Sequence, residues 1–305
     1  MNNLHRFGVV GAGYWAQSVH LPALHSMIDV TVRAVYGRNL DSVRVLADTI
    51  GAAAFAKYDS FLEHVDFVSF AVPPNVQSAL ALIAAEAGKG LLLEKPLATS
   101  LPEAHRLVAA IERRNVASRV FLTRLFSPAS IDLINAARSI SPISATATFN
   151  SRALLPDSPY ASSPWRASNY GALWDIAPHV LSIVIPVMGP VCAIVARRMG
   201  PAAFQCQLQH VSGGSSQVDL NLMDSNVERV SERYVFTAGG RSVSGGPFAN
   251  DSQACFRAAV RSLVRGDKSQ PQPCPDARFG CDLVEIIDKA CASIESANSQ
   301  QAFHT

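Results

Sequence analysis

The sequence predicts an α/β protein of two domains. A parallel sheet wrapped by helices comes first, then an α/β domain built on an open, mostly antiparallel sheet. Three observations carry this expectation. Apolar, β-branched runs alternate with helical stretches of roughly a dozen residues through the first part of the chain, which argues for parallel strands with crossover helices. A glycine-rich turn, Gly11-Ala12-Gly13-Tyr14-Trp15-Ala16, interrupts the first strand–helix pair. In the second half, two alternating segments joined at Gly213-Gly214 read as an antiparallel hairpin. A chain of 305 residues is long enough for two cores. The boundary is expected near Leu125, giving domains 1–124 and 125–305.

Leu4 to Val10 is a short apolar run and reads as a buried strand that stops at Gly11. An amphipathic stretch carried by Trp15, Val19, Leu24 and Ile28 begins just after Gly13. Strand, glycine turn and helix form the context in which Gly-x-Gly-x-x-Gly/Ala is a dinucleotide-binding fingerprint. Gly11 permits the tight turn, Gly13 lets main chain approach a pyrophosphate, and Ala16 lets the helix sit close on the strand. Amides at the helix start (Tyr14, Trp15, Ala16) then point at the phosphates, aided by the helix dipole. The first domain reads as a Rossmann dinucleotide-binding domain.

Val30 to Val35 is the second strand and ends in Tyr36-Gly37-Arg38-Asn39. An NAD site places an acid here for the ribose hydroxyls, whereas a guanidinium suits a 2′-phosphate through charge-assisted hydrogen bonds. Arg38, with Asn39 beside it, therefore predicts NADP(H) over NAD(H); the alternative is a solvated surface arginine. Leu40 to Ile50 reads as a helix, Ala52 to Ala56 as a short strand, and Asp66 to Val72 as a strand that is apolar apart from Ser69. The last runs through Ala71 and Val72 into Pro73-Pro74-Asn75, a loop placed where a cofactor lies in this architecture. Val76 to Ala87 is a helix closed by Gly88, and Gly90 to Leu93 is a buried strand ending in Glu94-Lys95-Pro96. A lysine at the carboxyl edge of a central strand can hold a substrate oxygen. The alternative is a surface lysine before a proline turn.

Together, Gly11-Ala12-Gly13-Tyr14-Trp15-Ala16, Val72-Pro73-Pro74, Glu94-Lys95-Pro96 and Leu101-Pro102-Glu103-Ala104 resemble the Gfo/Idh/MocA oxidoreductases, the glucose-fructose oxidoreductase and inositol dehydrogenase family. The resemblance implies that Lys95 is the catalytic lysine and that the Lys95–Pro96 bond is cis. One departure is Gln77, where many members carry a histidine after the Pro-Pro turn.

Ser118 to Arg124 reads as the last strand of the first domain, Pro128 to Arg138 as a connecting helix, and Ser144 to Asn150 as the start of the second sheet. Ser151 to Ser168 is a long polar loop holding Trp165-Arg166, and a loop of this length in a compact domain is usually either functional or disordered. The resemblance places these two near the nicotinamide as site wall. Gly171-Ala172-Leu173-Trp174-Asp175-Ile176-Ala177-Pro178-His179 puts Asp175 and His179 four residues apart, on one helix face. An imidazole with a carboxylate nearby suits acid/base work near neutral pH, although the spacing alone equally fits a helix surface pair. The family's Gly-x-x-x-Asp-x-x-x-His helix implies that His179 relays a proton and that Asp175 orients it or binds a hydroxyl. Pro178 and Pro186 suggest a kink. In the hairpin, Phe204, Cys206, Leu208 and His210 share a face with Val218, Leu220 and Leu222. Gln205, Gln207, Gln209, Gln217, Asp219 and Asn221 form the other. His210 is read as a satisfied core histidine, and Cys281 to Ser296 as a closing helix.

The formal charge of +2, without a basic run, gives no footing for nucleic acid binding. Eighteen consecutive apolar residues occur nowhere, so no membrane span is expected. The N-terminus enters the first strand without a leader, and the six scattered cysteines lack a Cys-x-x-Cys pair, so reduced thiols, no metal and a cytoplasmic setting are expected. The resemblance implies an NADP-dependent oxidoreductase moving hydride between nicotinamide and a carbinol or carbonyl carbon of a sugar, keto-sugar or cyclitol. A homodimer through the C-terminal sheet also belongs to that expectation. An imine reductase, a redox-neutral glycosidase and a non-catalytic cofactor-sensing regulator are the alternatives.

Overall fold

The computed structural model describes residues 4–248, 251–266 and 274–302. Contacts divide the chain into two compact units, Met1–Phe126 with Asn250–Cys281 and Ser127–Ala249 with Asp282–Thr305. The division is discontinuous, whereas a single cut after residue 124 yields two continuous domains.

The first unit alternates β1 (His5–Val10), α1 (Leu21–His25), β2 (Val30–Tyr36), α2 (Leu40–Asp48), β3 (Ala53–Phe55), α3 (Tyr58–Leu62), β4 (Phe67–Phe70), α4 (Pro74–Glu86), β5 (Gly90–Leu93), α5 (Leu101–Arg114) and β6 (Ser118–Val120). The strands are all parallel, in the order β3-β2-β1-β4-β5-β6. Order reverses at β1, so the strand ends of β1 and β4 open a crevice at the topological switch point. Three elements depart from expectation. The stretch after the glycine turn is a π-helical turn, Ala16–His20, before α1 begins. Pro22 has no N–H for the Ser18 carbonyl, and the Gln253 amide donates to that oxygen instead, at 3.0 Å. The helix stops at His25, which leaves Ile28 96% exposed rather than on a buried stripe. The last strand ends at Val120 and gives way to a buried 3₁₀ turn, Thr123–Phe126, instead of reaching Arg124.

The second unit holds α6 (Pro128–Arg138), β7 (Ser144–Ser151), α7 (Gly171–Met188), β8 (Val191–Gly200), β9 (Ala203–His210), β10 (Ser215–Asn221), β11 (Val230–Ala238) and β12 (Arg241–Gly245). Its sheet runs β12-β11-β7-β10-β9-β8, antiparallel except where β7 meets β10. The Gly213-Gly214 hairpin forms as the alternation predicts. Phe204, Cys206, Leu208, Val218, Leu220 and Leu222 are buried, and the glutamine face is half-buried to exposed. His210 is 2% exposed, with its ring nitrogens bonded to the Gly189 carbonyl and the Ser216 hydroxyl. Strands β11 and β12 were not foreseen. In β11 the inward position Glu232 interrupts the apolar alternation, and its buried carboxylate accepts from the Tyr234 hydroxyl at 3.0 Å.

Helix α7 runs as one α-helix through Pro178 and Pro186. By length and composition it is apolar enough to cross a membrane, a property the count of consecutive apolar residues did not register, yet 78% of it is buried inside the protein. It packs on β7, β9 and β10 as the core helix of its unit.

Two helices close the chain, α8 (Ser252–Arg265) and α9 (Ala277–Ala302). Asp251 caps α8 through the amides of Gln253 and Ala254. The α8 stripe of Cys255, Phe256, Ala259, Val260 and Leu263 joins the core formed by Phe7, Val9, Val19, Leu24 and Phe121. Burying Phe256 alone stabilises by about 1.5–3 kcal/mol, which is why this segment belongs to the first unit. Helix α9 begins at Ala277 rather than Cys281, because Asp276 accepts from the Phe279 amide and caps it there. All six cysteines are free thiols, with Cys192 exposed and Cys206, Cys255, Cys281 and Cys291 buried.

Candidate functional site

In the first unit the expected cofactor residues gather at one edge of the sheet, because all carboxyl ends of parallel strands lie together. Gly11 follows β1 with φ +111°, and a Cβ there would meet the Ala71 carbonyl oxygen at 2.4 Å. Only glycine satisfies both the dihedral and the close approach of the two strand ends. At Gly13 a Cβ would meet nothing within 4 Å. Packing within the chain therefore does not demand glycine at this position, while a phosphate lying on the main chain does. Ala16 is fully buried beneath the turn, and Tyr14 is 58% exposed above it. The residues present thus fit a dinucleotide pyrophosphate.

Arg38 and Asn39 are exposed just beyond β2. Asn39 has a second task, since its side-chain oxygen accepts from the amides of Asp41 and Ser42 as the cap of α2. Ala71 and Val72 are half-buried after β4; Pro73 and Asn75 are exposed, and Pro74 starts α4.

Glu94 and Lys95 follow β5, half-buried, and the Lys95–Pro96 bond is cis. Sequence reasoning missed what holds them. Gln77 is fully buried, and its amide donates to the carbonyls of Glu94 (2.7 Å), Pro96 (3.2 Å) and Leu97 (3.3 Å) while accepting from the Glu94 amide (2.7 Å). The departure at Gln77 is thus a main-chain clamp on the turn that carries Lys95. The Glu94 carboxylate is held separately. Its Oε1 accepts from the Trp15 indole at 2.6 Å and meets His20 Nε2 at 3.1 Å. His20 Nδ1 in turn lies 2.9 Å from Ser69 Oγ. Two signals pointed here. Ser69 is the polar residue inside the apolar run of β4, and His20 falls four residues after Ala16, on the same helical face.

In the second unit, Gly171 opens α7 beneath the long loop. A Cβ at this glycine would sit 1.8 Å from the Arg166 carbonyl oxygen, so the absence of a side chain lets the loop close onto the helix. The closure delivers Arg166 to Asp175, with Nε to Oδ2 at 2.8 Å and the carboxylate 5% exposed. The guanidinium also lies 4.4 Å from the ring centres of Trp165 and Tyr160. Residues 165, 166 and 175 are therefore one assembly. His179 sits one turn further along, half-buried, with its ring stacked on Phe149 at 5.9 Å and 11°.

A six-stranded parallel sheet with a glycine turn at its switch point defines a Rossmann-type α/β fold. Residues 5–122 match the family model described as "Oxidoreductase family, NAD-binding Rossmann fold", GFO_IDH_MocA. The match lies within the parallel-sheet part of the first unit and covers less than half of the 305-residue chain. Among curated proteins it is 28% identical to the dTDP-3,4-didehydro-2,6-dideoxy-alpha-D-glucose 3-reductase of Streptomyces violaceoruber, over 60% of this chain and 54% of that protein. The chain spans about half the length of the curated relatives it matches, 55% for a Saccharomyces cerevisiae protein and 54% for this reductase. Among solved structures, GenD2 from gentamicin A biosynthesis in complex with NAD superposes with TM-score 0.82 at 20% identity, covering 97% of this chain and 95% of that one. KijD10 of Actinomadura kijaniata, a 3-ketoreductase in complex with NADP and TDP-benzene, gives 0.76 at 20% identity, covering 96% and 98%. At these identities the structures establish the fold.

Proposed function

We propose that the protein is an NADP(H)-dependent oxidoreductase acting on a carbinol or carbonyl carbon of a sugar, keto-sugar or cyclitol. The observation that carries this reading is Lys95, held at the carboxyl edge of β5, with β4 between it and the β1 end that bears the glycine turn. The names of the reductase relative and of KijD10 support a keto-sugar, and Arg38 in the place of a ribose-binding acid supports the phosphorylated cofactor. When bound, the cofactor supplies or takes the hydride. The Lys95 ammonium donates to the substrate oxygen and stabilises the charge that develops there. The His179 imidazole holds the proton exchanged with that oxygen. Asp175, tied to Arg166, keeps the start of α7 and the loop in one geometry and supports the histidine.

Neither Lys95 nor His179 is asked to hold the pyrophosphate. Lys95→Met and His179→Ala are expected to keep NADPH binding within several-fold yet lose about 10²–10⁴ in turnover. The double variant should lose less than the product of the two, because residues acting as a unit are non-additive. Asp175→Asn should do less harm than either. Fluorescence titration of each variant with NADPH, beside kcat on a panel of keto-sugars, cyclitol ketones and cyclic imines, checks this. Full turnover in Lys95→Met would overturn the assignment, and turnover confined to the imines would move the substrate class to C=N bonds.

A further inference from the structure

We propose that His20 is a positioning residue for Lys95, acting through the Glu94 carboxylate; the inference rests on Lys95 being the catalytic lysine. The turn that carries Lys95 is held twice. Gln77 grips its main chain from Glu94 to Leu97. The Glu94 side chain is gripped by Trp15 and His20 on one oxygen, while the other faces the amide of Lys95 at 3.3 Å. Glu94 therefore links the residue after the glycine turn to the residue after β5, and its orientation sets where the Lys95 side chain departs.

His20 fixes that orientation because it is itself immobile. The ring is 1% exposed, lies 4.3 Å from the Phe256 ring of α8, and is edge-on to Phe121 at 6.5 Å. An ionised carboxylate only accepts, so Nε2 carries the proton toward Glu94, and Nδ1 is free to accept from the Ser69 hydroxyl. Glu94 thereby selects the tautomer, Ser69 satisfies the second ring nitrogen, and the aromatic walls select the ring plane. An apolar residue would pack in the same volume but would leave Glu94 held by fewer donors, and a half-buried carboxylate short of a donor turns toward water.

The two amide side chains separate this role from packing. Glutamine places its amide nitrogen near the position of Nε2 and retains the donor to Glu94. Asparagine places its own near Nδ1 and retains the Ser69 side alone. Reductive ¹³C-methylation of the five lysines, with Lys95→Arg to assign the Lys95 signal, reads the environment of Lys95 without any substrate. His20→Gln is expected to leave that signal in place and kcat within about threefold, whereas His20→Asn should shift it and lower kcat about ten- to a hundredfold. NADPH affinity should stay within about threefold in both, since the pyrophosphate turn is intact. Should His20→Asn fail to fold, Trp15→Phe removes the other donor to the same oxygen and is expected to shift the Lys95 signal likewise. Identical Lys95 signals in the glutamine and asparagine variants, or an unmoved signal in Trp15→Phe, would overturn the proposal. A shifted signal with undiminished turnover would support the tether and count against Lys95 as the catalytic group.

Discussion

Arg38 and Asn39 leave β2 side by side but divide their work. The Asn39 oxygen is occupied by two amides of α2, while the Arg38 guanidinium is exposed at the sheet edge that bears the glycine turn. NADPH should bind more tightly than NADH, and Arg38→Ala should erase most of the difference, about 10- to 100-fold, because hydrogen bonds to a charged group contribute roughly 1.5–3 kcal/mol. Fluorescence titration with both cofactors tests it, and equal wild-type affinities would refute it. His210 offers a second measurement. Burial holds its imidazole below the usual range, with the Gly189 carbonyl pulling the other way. The folded state then binds the proton less readily than the unfolded chain. The contribution to stability is intact above about pH 6.5 and is lost as pH falls below it. Thermal unfolding followed from about pH 8 to pH 5 should show that loss, and His210→Gln should flatten it.

At the scale of elements, the geometry around α7 depends on one missing side chain. The 152–170 loop reaches Asp175 only because Gly171 admits the Arg166 main chain. A methyl group there cannot yield to a flexible side chain, since its neighbour is backbone. Gly171→Ala is expected to destabilise by about 1–3 kcal/mol, as overpacking does, and to loosen Arg166 from Trp165 and Asp175. Calorimetry and Trp fluorescence report the two effects separately, and an unchanged melting temperature would show that the loop closes by other contacts. Helix α4 makes a similar point. Its buried Gln77 faces the β5 turn, so a helix that reads as an ordinary crossover helix is also the scaffold of the lysine.

At the scale of the molecule, the sheet of the second unit leaves a face of paired amides. Gln205 donates to Asp219, Gln207 to Gln217, and Gln217 to Asp219, and Val195 of β8 lies beside Gln207, 59% exposed. These groups are largely satisfied within one chain, so a second copy would gain little from them. A dimer through this face is expected to dissociate more readily on dilution than an obligate one. Light scattering across a dilution series measures this, and a tight oligomer unaffected by Gln207→Arg would place the interface elsewhere.

Local pattern determined a large share of this protein. Gly11, Gly13 and Ala16 after an apolar run, Lys95 at the next-but-one strand end, and the His210 hairpin all follow from neighbours within a few residues. So do the parallel sheet and the identity of the second, mostly antiparallel one. What tertiary structure alone decided lies where distant segments meet. Helix α8 was not read from the sequence, and nothing in its periodicity says that Phe256 lands on His20 of the first unit. Strand β11 was hidden because its inward glutamate is satisfied by a tyrosine hydroxyl rather than replaced by an apolar residue. Gln77, Ser69 and His20 are single polar residues in apolar surroundings, and sequence reads each as an irregularity. Their partners are 17 to 74 residues away, and a buried polar group acquires its meaning only from the atom that satisfies it.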